Sequence, residues 1–476
     1  MSKKTNIQDS RLLGNQSLLS KNMIAFALIL ITLLIFYSPI VFEGLEPGGI
    51  DTMASLGKRH QVREYTEQTG NPYLWNPNIF VGIPEYFTKN NPGLTIKTIL
   101  RSISQVLDWR ITWFIIGAVG LFLLFNFLKF PWFFSLIGAI AFLFFTHIQG
   151  LILVGHNTKL RALMYIPIIL YTFLNFTKKR DLLSISLFTL FFSAQFQTKH
   201  YQMIFYTLLL LLTVGIYKIV QWIKEKETSR LYKSIGMFIP ALVIAVLMSA
   251  LPLFVAQEYT PHSTRGGKAI NLEEQVQKSQ AVKDKGSKGV TFEYATRWSY
   301  SLKEYLGTII PKAMGGTSGQ VYQGDKYPRL QGQILPTYWG DMSFTQSIEY
   351  FGIIIVVLAI AGIVYYRKNG FVLSLTILLI FSFLLSLGKH FPPIYKLLFN
   401  YLPYFSKFRV PMMIITLMDF LLVVLAMFGL KGLIRDLNKK KFKQLAIIAG
   451  VFGFIGLVAI IAQGMFSFSA PGDARY

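Results

Sequence analysis

Residues 23–42 read MIAFALILITLLIFYSPIVF, and a few residues later positions 47–60 read PGGIDTMASLGKRH. The first stretch carries no charge and has the roughly 20 residues that an α-helix needs to cross a hydrocarbon core of about 30 Å. It is longer than the apolar region of a cleavable signal and no Ala-x-Ala-like site follows it. Its basic flank, Lys3, Lys4, Arg11 and Lys21, is expected to stay in the cytoplasm. The chain therefore leaves the membrane on the outer side. There it places one carboxylate, Asp51, directly after two glycines and just ahead of Lys58, Arg59 and His60.

The same apolar signature recurs along the chain. Of 476 residues, 53% are hydrophobic and only 15% are charged, more apolar and less charged than a soluble domain. Run lengths predict about eleven transmembrane helices, near residues 22–42, 111–128, 131–149, 162–176, 182–198, 201–222, 235–256, 348–366, 370–388, 410–430 and 444–466. Two of them, 162–176 and 182–198, are short. The class is an all-α polytopic membrane protein, without the alternation of a β-barrel. A cytoplasmic tail (1–21) precedes a transmembrane domain (22–466) that has two large outer loops, 43–110 and 257–347. A tail (467–476) ends the chain outside. No internal repeat of the transporter kind is visible.

The net charge of +24, from 47 Lys and Arg against 23 Asp and Glu, suits basic cytoplasmic loops better than nucleic-acid binding. The segments FTKKRD (176–181), KEKETSRLYK (224–233), RKNG (367–370) and KGLIRDLNKKKFK (431–443) are all basic and fall inside if the N-terminus is inside. There are no cysteines, which excludes disulfides and thiolate metal sites. Short outer connections also carry cations: Lys159 and Arg161 in GHNTKLR (155–161), Lys199 in QTKHYQ (197–202), and Lys389, Lys396, Lys407 and Arg409 between 388 and 409. Cations there oppose the insertion bias. An anionic ligand at the outer face, or snorkelling to outer-leaflet phosphates, accounts for them.

Within the first outer loop, residues 51–66 and 94–107 read as helices, the second lying on the bilayer surface. The segment NPYLWNPNIFVGIP between them reads as loop, because Pro72, Pro77, Gly82 and Pro84 interrupt it. In the second outer loop, residues 271–289 are polar and read as mobile. From Phe292 the loop turns aromatic and is expected to be ordered.

No phosphate loop, His-Glu-x-x-His or Gly-x-Ser-x-Gly is present. MGGTSG (314–319) is Gly-rich but has no helix pattern after it. What stands out is Asp51, with two readings: cap of a helix beginning near Thr52, or general base. His156 and His200 sit at the outer ends of spans, each near a lysine, Lys159 and Lys199. Asp341 in YWGDMSFT reads as a second acid or as a turn residue. Asp419, in the apolar run IITLMDFLLVV, is an intramembrane acid and so a functional candidate by default. It offers an alternative, a proton-coupled transporter or lipid flippase.

The strings GGID with LWNPNIFVGIPEYF, GHNTKLRALMYIP, QTKHYQMIFY, STRGG, FEYATRWSYS, IPKAMGGTS, YWGDMSFT and PYFSKFRVPMM occur in this order from the first span to about residue 430. Together they resemble the YfhO-like bacterial membrane proteins. The resemblance implies a GT-C-type glycosyltransferase, a bundle of helices in the bacterial cytoplasmic membrane. It takes a sugar from a polyprenyl-phosphate carrier on the outer face and gives it to a cell-envelope polymer or glycolipid. It also implies Asp51 as the general base of an inverting transfer. His156, Asn157 and Lys159 match the GHN string, and Lys199 and His200 match an Asn/His pair in relatives. Arg409, Lys407, Lys159 and Arg161 are candidates to hold the donor phosphate. The residues name no cofactor, and a role for a divalent cation stays open.

Overall fold

The computed structural model describes residues 18–79, 82–85, 99–100, 102–104, 107–263, 265, 289–435 and 437–461. The chain is mostly helical, at 72%. It begins with α1 (Leu18–Phe36), the one-turn α2 (Ser38–Val41) and α3 (Ile50–Thr69), followed by α4 (Trp109–Phe127), α5 (Trp132–Leu143) and α6 (Thr146–Val154). Then come α7 (Asn157–Met164), α8 (Ile166–Lys179), α9 (Leu182–Phe196), α10 (Tyr201–Lys224), α11 (Thr228–Leu247) and α12 (Ala250–Tyr259). The outer segment that follows contains α13 (Phe292–Ala295) and α14 (Tyr305–Ile309). Helices α15 (Ile353–Tyr365), α16 (Gly370–Ser386), α17 (Pro392–Tyr401), α18 (Ile415–Arg435) and α19 (Lys439–Ile461) complete it.

Among the described residues six helical segments are long and apolar enough to cross a membrane, and the count is seven if α5 and α6, bent by 42° at their junction, are one span. This is the architecture of a multi-pass membrane protein. Four of the expected eleven runs are shorter helices: Ser20–Phe36, Leu182–Phe196, Ile353–Tyr365 and Gly370–Ser386. The 13 residues of α15 rise only about 20 Å at 1.5 Å each, less than a hydrocarbon core. The fourth run departs in the other direction. Its helix begins at Asn157 and continues to Lys179 as a 23-residue span, with Pro167 in the first turn of α8, where its missing N–H costs no bond. Lys159 and Arg161 are therefore helical, not loop residues.

Helix α18 is the hub. Nearly all of it from Ile415 to Gly429 is buried, and it packs on α5, α15 and α16. Its tightest neighbour is α15, where a side chain on Gly362 or Gly429 would strike the facing backbone, so small residues set that approach. Helix α19, by contrast, buries none of its residues and turns an apolar surface outward. Side-chain caps fix several helix starts: Asp108 accepts from the Arg110 amide (2.8 Å), Asp181 from that of Ser184 (2.7 Å), and Asn369 from those of Phe371 and Val372 (3.0 and 3.1 Å). Asp108 also pairs with the Arg110 guanidinium at 2.9 Å, and that group holds Glu46 as well. The segment between α2 and α4 is thereby tied to the foot of α4.

That loop is not wholly irregular. Trp75–Asn76 (β1) pairs antiparallel with Ile83–Pro84 (β2), because the glycine and prolines that interrupt helix in this stretch also allow a tight reversal. The expected surface helix over 94–107, the mobile reading of 271–289 and the tails at 1–21 and 467–476 fall mainly or wholly outside the described residues. From Phe292 the segment ahead of α15 carries α13, α14 and a second antiparallel pair, Gln320–Val321 (β3) and Ile334–Leu335 (β4). The Gly-rich MGGTSG string belongs to this unit. Gly315 has φ +80, and a side chain there would collide with the Thr337 carbonyl and Trp339. Its glycines serve close packing of loop against loop, with no helix behind them.

Candidate functional site

The bend between α6 and α7 creates the site. Helix α6 ends at Gly155, whose φ of +94 is the left-handed region that glycine adopts without strain. Its amide and that of His156 return to the Leu151 carbonyl at 3.1 and 2.8 Å. The chain then restarts as α7 with His156 as its N-cap residue. Onto this turn comes the start of α3. A side chain on Gly49 would hit the Leu153 carbonyl, and one on Gly155 would hit Thr52. The two glycines let the backbones touch, and the contact delivers Asp51. Its Oδ2 lies 3.2 Å from Nε2 of His156.

Asp51 does not cap its helix by its side chain. The N-cap of α3 is Gly49, without a side-chain bond, and Asp51 sits in the first turn. A carboxylate there faces unpaired backbone amides at the positive end of the helix dipole. More than half of its side chain is exposed (57%), so it is open to solvent. Burial, and next the charge of Lys159, hold the His156 imidazole below its ordinary value against the pull of Asp51. It is therefore neutral at physiological pH.

Lys159, one helical turn beyond His156, is buried at 6% exposure, and the acidic field around it comes from Glu349 and Asp419. Glu349, just ahead of α15, pairs with His147 of α6 at 2.5 Å and accepts from Ser347 Oγ at 2.9 Å. Burial would raise the Glu349 carboxyl, but His147, Ser347 and Lys159 overcome it and hold the group below its ordinary value. Asp419 is fully buried in α18, and neither of its carboxylate oxygens has a hydrogen-bond partner. Arg161 lies over the rings of Trp109 (4.9 Å) and Trp113 (5.9 Å), a cation–π seat.

His200 mirrors His156. It is the N-cap of α10, and its Nδ1 accepts from the Met203 amide at 3.4 Å. Burial first, then Lys159, keeps it neutral, and His156 and Arg265 act on it too. The same pole thus gathers His156, Lys159, His200 and Arg265. Lys199 precedes His200 with φ +63, and Asn157 opens α7.

A further cationic group continues from Arg265. Its Nη1 donates to the Lys407 carbonyl (3.1 Å), and Arg409 Nη1 donates to the Tyr294 hydroxyl at 2.5 Å. The Arg409 carbonyl accepts from Gln202 of α10 at 2.9 Å, and Val410, next in sequence, has φ +63. That conformation is an outlier for a β-branched residue and fixes the chain direction beside Arg409. Burial and the neighbouring Arg409 both work against the charge on Arg265, so two guanidiniums stand close together. Such a pair suits an anion with several oxygens.

Asp341 belongs elsewhere. It pairs with Lys303 at 2.6 Å, beside a cleft in the segment between α12 and α15. That cleft encloses about 30 Å³ and is lined among others by Tyr300, Glu304, Lys312, Tyr338, Ser347 and Glu349. The residues that sequence reasoning passed over are His147, Glu349, Arg265 and Tyr294. Two of them had a signal: His147 interrupts an apolar run, and Glu349 stands at the mouth of another. Among the described residues no group of three or more His, Asp or Glu could hold a metal ion. No family model, curated protein or solved structure matches the chain.

Proposed function

We propose that the chain is a membrane glycosyltransferase of the GT-C type. It moves a sugar from a polyprenyl-phosphate donor to an envelope polymer or glycolipid at the outer face of a bacterial cytoplasmic membrane. Its N-terminus is inside, and all eleven apolar segments traverse the bilayer, the short ones with polar ends dipping in. The observation that carries the reading is the Asp51–His156 contact at 3.2 Å, set at a pole with buried or half-buried cations and a neutral second histidine. The order of the YfhO-like strings supports it. In this mechanism Asp51 takes the proton of the acceptor hydroxyl, which attacks the anomeric carbon opposite the phosphate and inverts it. Arg409, Arg265, Lys407 and Lys159 stabilise charge on the departing phosphate. Arg161, Asn157 and Lys199 shape the same pole.

The test is mass spectrometry of polyprenyl-phosphate sugars and envelope polymers from cells with and without the protein. Loss of one sugar from one polymer, with that sugar accumulating on its carrier, is the expected outcome. Unchanged polymers and carriers would end the reading. A second reading, a proton-coupled transporter or flippase, is favoured by Asp419, an acid fully buried in the central helix with both oxygens unpartnered. It predicts substrate movement without a new glycosidic bond, lost in Asp419→Asn and retained in Asp51→Asn.

A further inference from the structure

We propose that helix α17 is an interfacial anchor, with its exposed face seated in the headgroup layer of a phospholipid bilayer. The inference does not depend on the transferase reading, which assigns α17 no part.

Helix α17 is apolar on two sides. One side faces protein: Tyr395 and Phe399 are buried, and both rings lie against that of Phe292 in α13, at centroid distances of 5.9 and 5.7 Å. The other side is open. Leu397 and Tyr401, one helical turn apart, are 59% and 79% exposed, and Tyr404 just past the helix end is exposed with them. Phe391 and Leu402 extend the apolar surface at the two ends of the helix. A helix that is apolar all round needs cover on both sides, and the protein covers one.

Position and length say what covers the other. The 17 residues of α16 rise about 25 Å, short of the ~30 Å of a hydrocarbon core. Its exposed stripe, Leu373, Ile377 and Ile380, is the kind of surface that faces lipid. The chain leaving α16 therefore stands close to the headgroups when α17 begins. Pro392 and Pro393 open α17 after a short turn at Gly388–His390, and without their amides the helix cannot prolong α16. The ten residues of α17 rise only about 15 Å, half of the core, so the helix lies along the surface rather than crossing.

Charge points the same way. Residues 388–409 contain Lys389, Lys396, Lys407 and Arg409 and no Asp or Glu. Lys396 falls between the two faces, with its ammonium 5.3 Å from the Phe292 ring centroid. Exposed tyrosines and leucines bordered by cations are the pattern of an in-plane interfacial helix, which meets hydrocarbon and phosphate together. Left in water, this face would be an apolar patch of the kind that soluble surfaces avoid. Two copies meeting through it about a twofold axis would set these cations against their own equivalents, with no acid in the segment to answer them. The anchor also bears on the guanidinium pair. Phe405 packs on Tyr395 (5.2 Å) and on Phe408 (5.7 Å), so α17 is joined by ring contacts to the segment that ends in Arg409 and sets the depth at which that group stands.

The sequence has no cysteine, so Leu397→Cys and Tyr401→Cys each supply a single thiol at an exposed position. The full chain, labelled there with the fluorophore NBD, is placed in nanodiscs of phosphatidylglycerol and phosphatidylcholine. Quenching is measured with iodide in the water and with lipid spin-labelled near the top of its acyl chains. Ile377→Cys on the exposed stripe of α16 and Asp325→Cys in the polar turn between β3 and β4, both exposed, mark the lipid and water limits. Labels at 397 and 401 are expected to follow the label at 377: quenched by the lipid, with the iodide quenching seen at 325 lost. Iodide quenching equal to that at 325, with no effect of the lipid, overturns the anchor. Protection from both quenchers overturns it as well, because the face is then covered by protein. Iodide quenching at 377 itself would take α16 out of the bilayer, and the anchor with it.

Discussion

The Asp51 carboxylate meets the imidazole of His156 at 3.2 Å, although the two residues belong to different segments and nothing local in sequence joins them. The meeting depends on Gly49 and Gly155, which let α3 settle on the α6–α7 turn. Both partners remain about half exposed, so the pair is open to a ligand and contributes little to stability as an ion pair.

Asp51→Asn should therefore fold normally and bind donor, while sugar transfer falls about 10²- to 10⁴-fold, the usual worth of a general base. Turnover and donor KM measured on the purified variant check this. Wild-type turnover in the variant would remove Asp51 from the mechanism.

Gly155→Ala should cost roughly 1–3 kcal/mol, because the residue must hold a left-handed conformation and its new methyl meets Thr52. Thermal unfolding in detergent reads the loss. A melting temperature equal to wild type would mean that α3 is not seated on this turn.

Acid should destabilise the fold in a defined window. Burial and then Lys159 lower His200 from 6.5 to about 3, and the same causes lower His156 to about 4. Above pH 6.5 both are neutral, folded or not. Below it the unfolded chain binds protons that the folded chain refuses, so stability falls as pH drops from 6.5 toward those values. Glu349 runs in the same direction: its folded value is below 4.5, so its contribution is present above 4.5 and disappears as pH falls through the folded value. His200→Asn keeps a good N-cap and should flatten the slope below pH 6.5. Coincident wild-type and variant curves of melting temperature against pH would count against a buried neutral His200.

Removing one guanidinium from the outer pair, by Arg409→Ala or Arg265→Ala, should raise the donor KM roughly ten- to a hundredfold, as expected for one charge-assisted hydrogen bond to phosphate. Arg409→Lys should not restore it, since a lysine cannot keep both the Tyr294 contact and a forked grip on an anion. Unaltered donor KM in both alanine variants would place the phosphate elsewhere.

The membrane class was legible because about twenty uncharged apolar residues have few stable homes other than a bilayer or a buried core. Within the described residues the eleven apolar runs near 22–42, 111–128 and onward overlap helices or broken helices, of which six, or seven with α5 and α6 as one span, are long enough to cross a membrane. Length was less legible. Lys159 and Arg161 looked like loop cations, yet the helix runs through them, because tertiary partners, acids for Lys159 and tryptophan rings for Arg161, make charge tolerable there. Asp51, His156 and Lys159 could be singled out as types at helix ends. Asp341 could be singled out the same way and proved to serve Lys303. Glu349 and His147 escaped notice because each is an isolated polar residue beside apolar sequence, and their meaning lies in each other.

Apolar run length and the placement of charge, which are properties of consecutive residues, thus settled the class of the molecule and its list of unusual polar groups. Which of those groups meet was settled by packing. The glycine-mediated seat of α3 on the α6–α7 turn joins Asp51 to His156, and the approach of residues 347–352 to α6 joins Glu349 to His147. Such contacts depend on the three-dimensional closure of many helices at once, and distance along the chain carries no record of them.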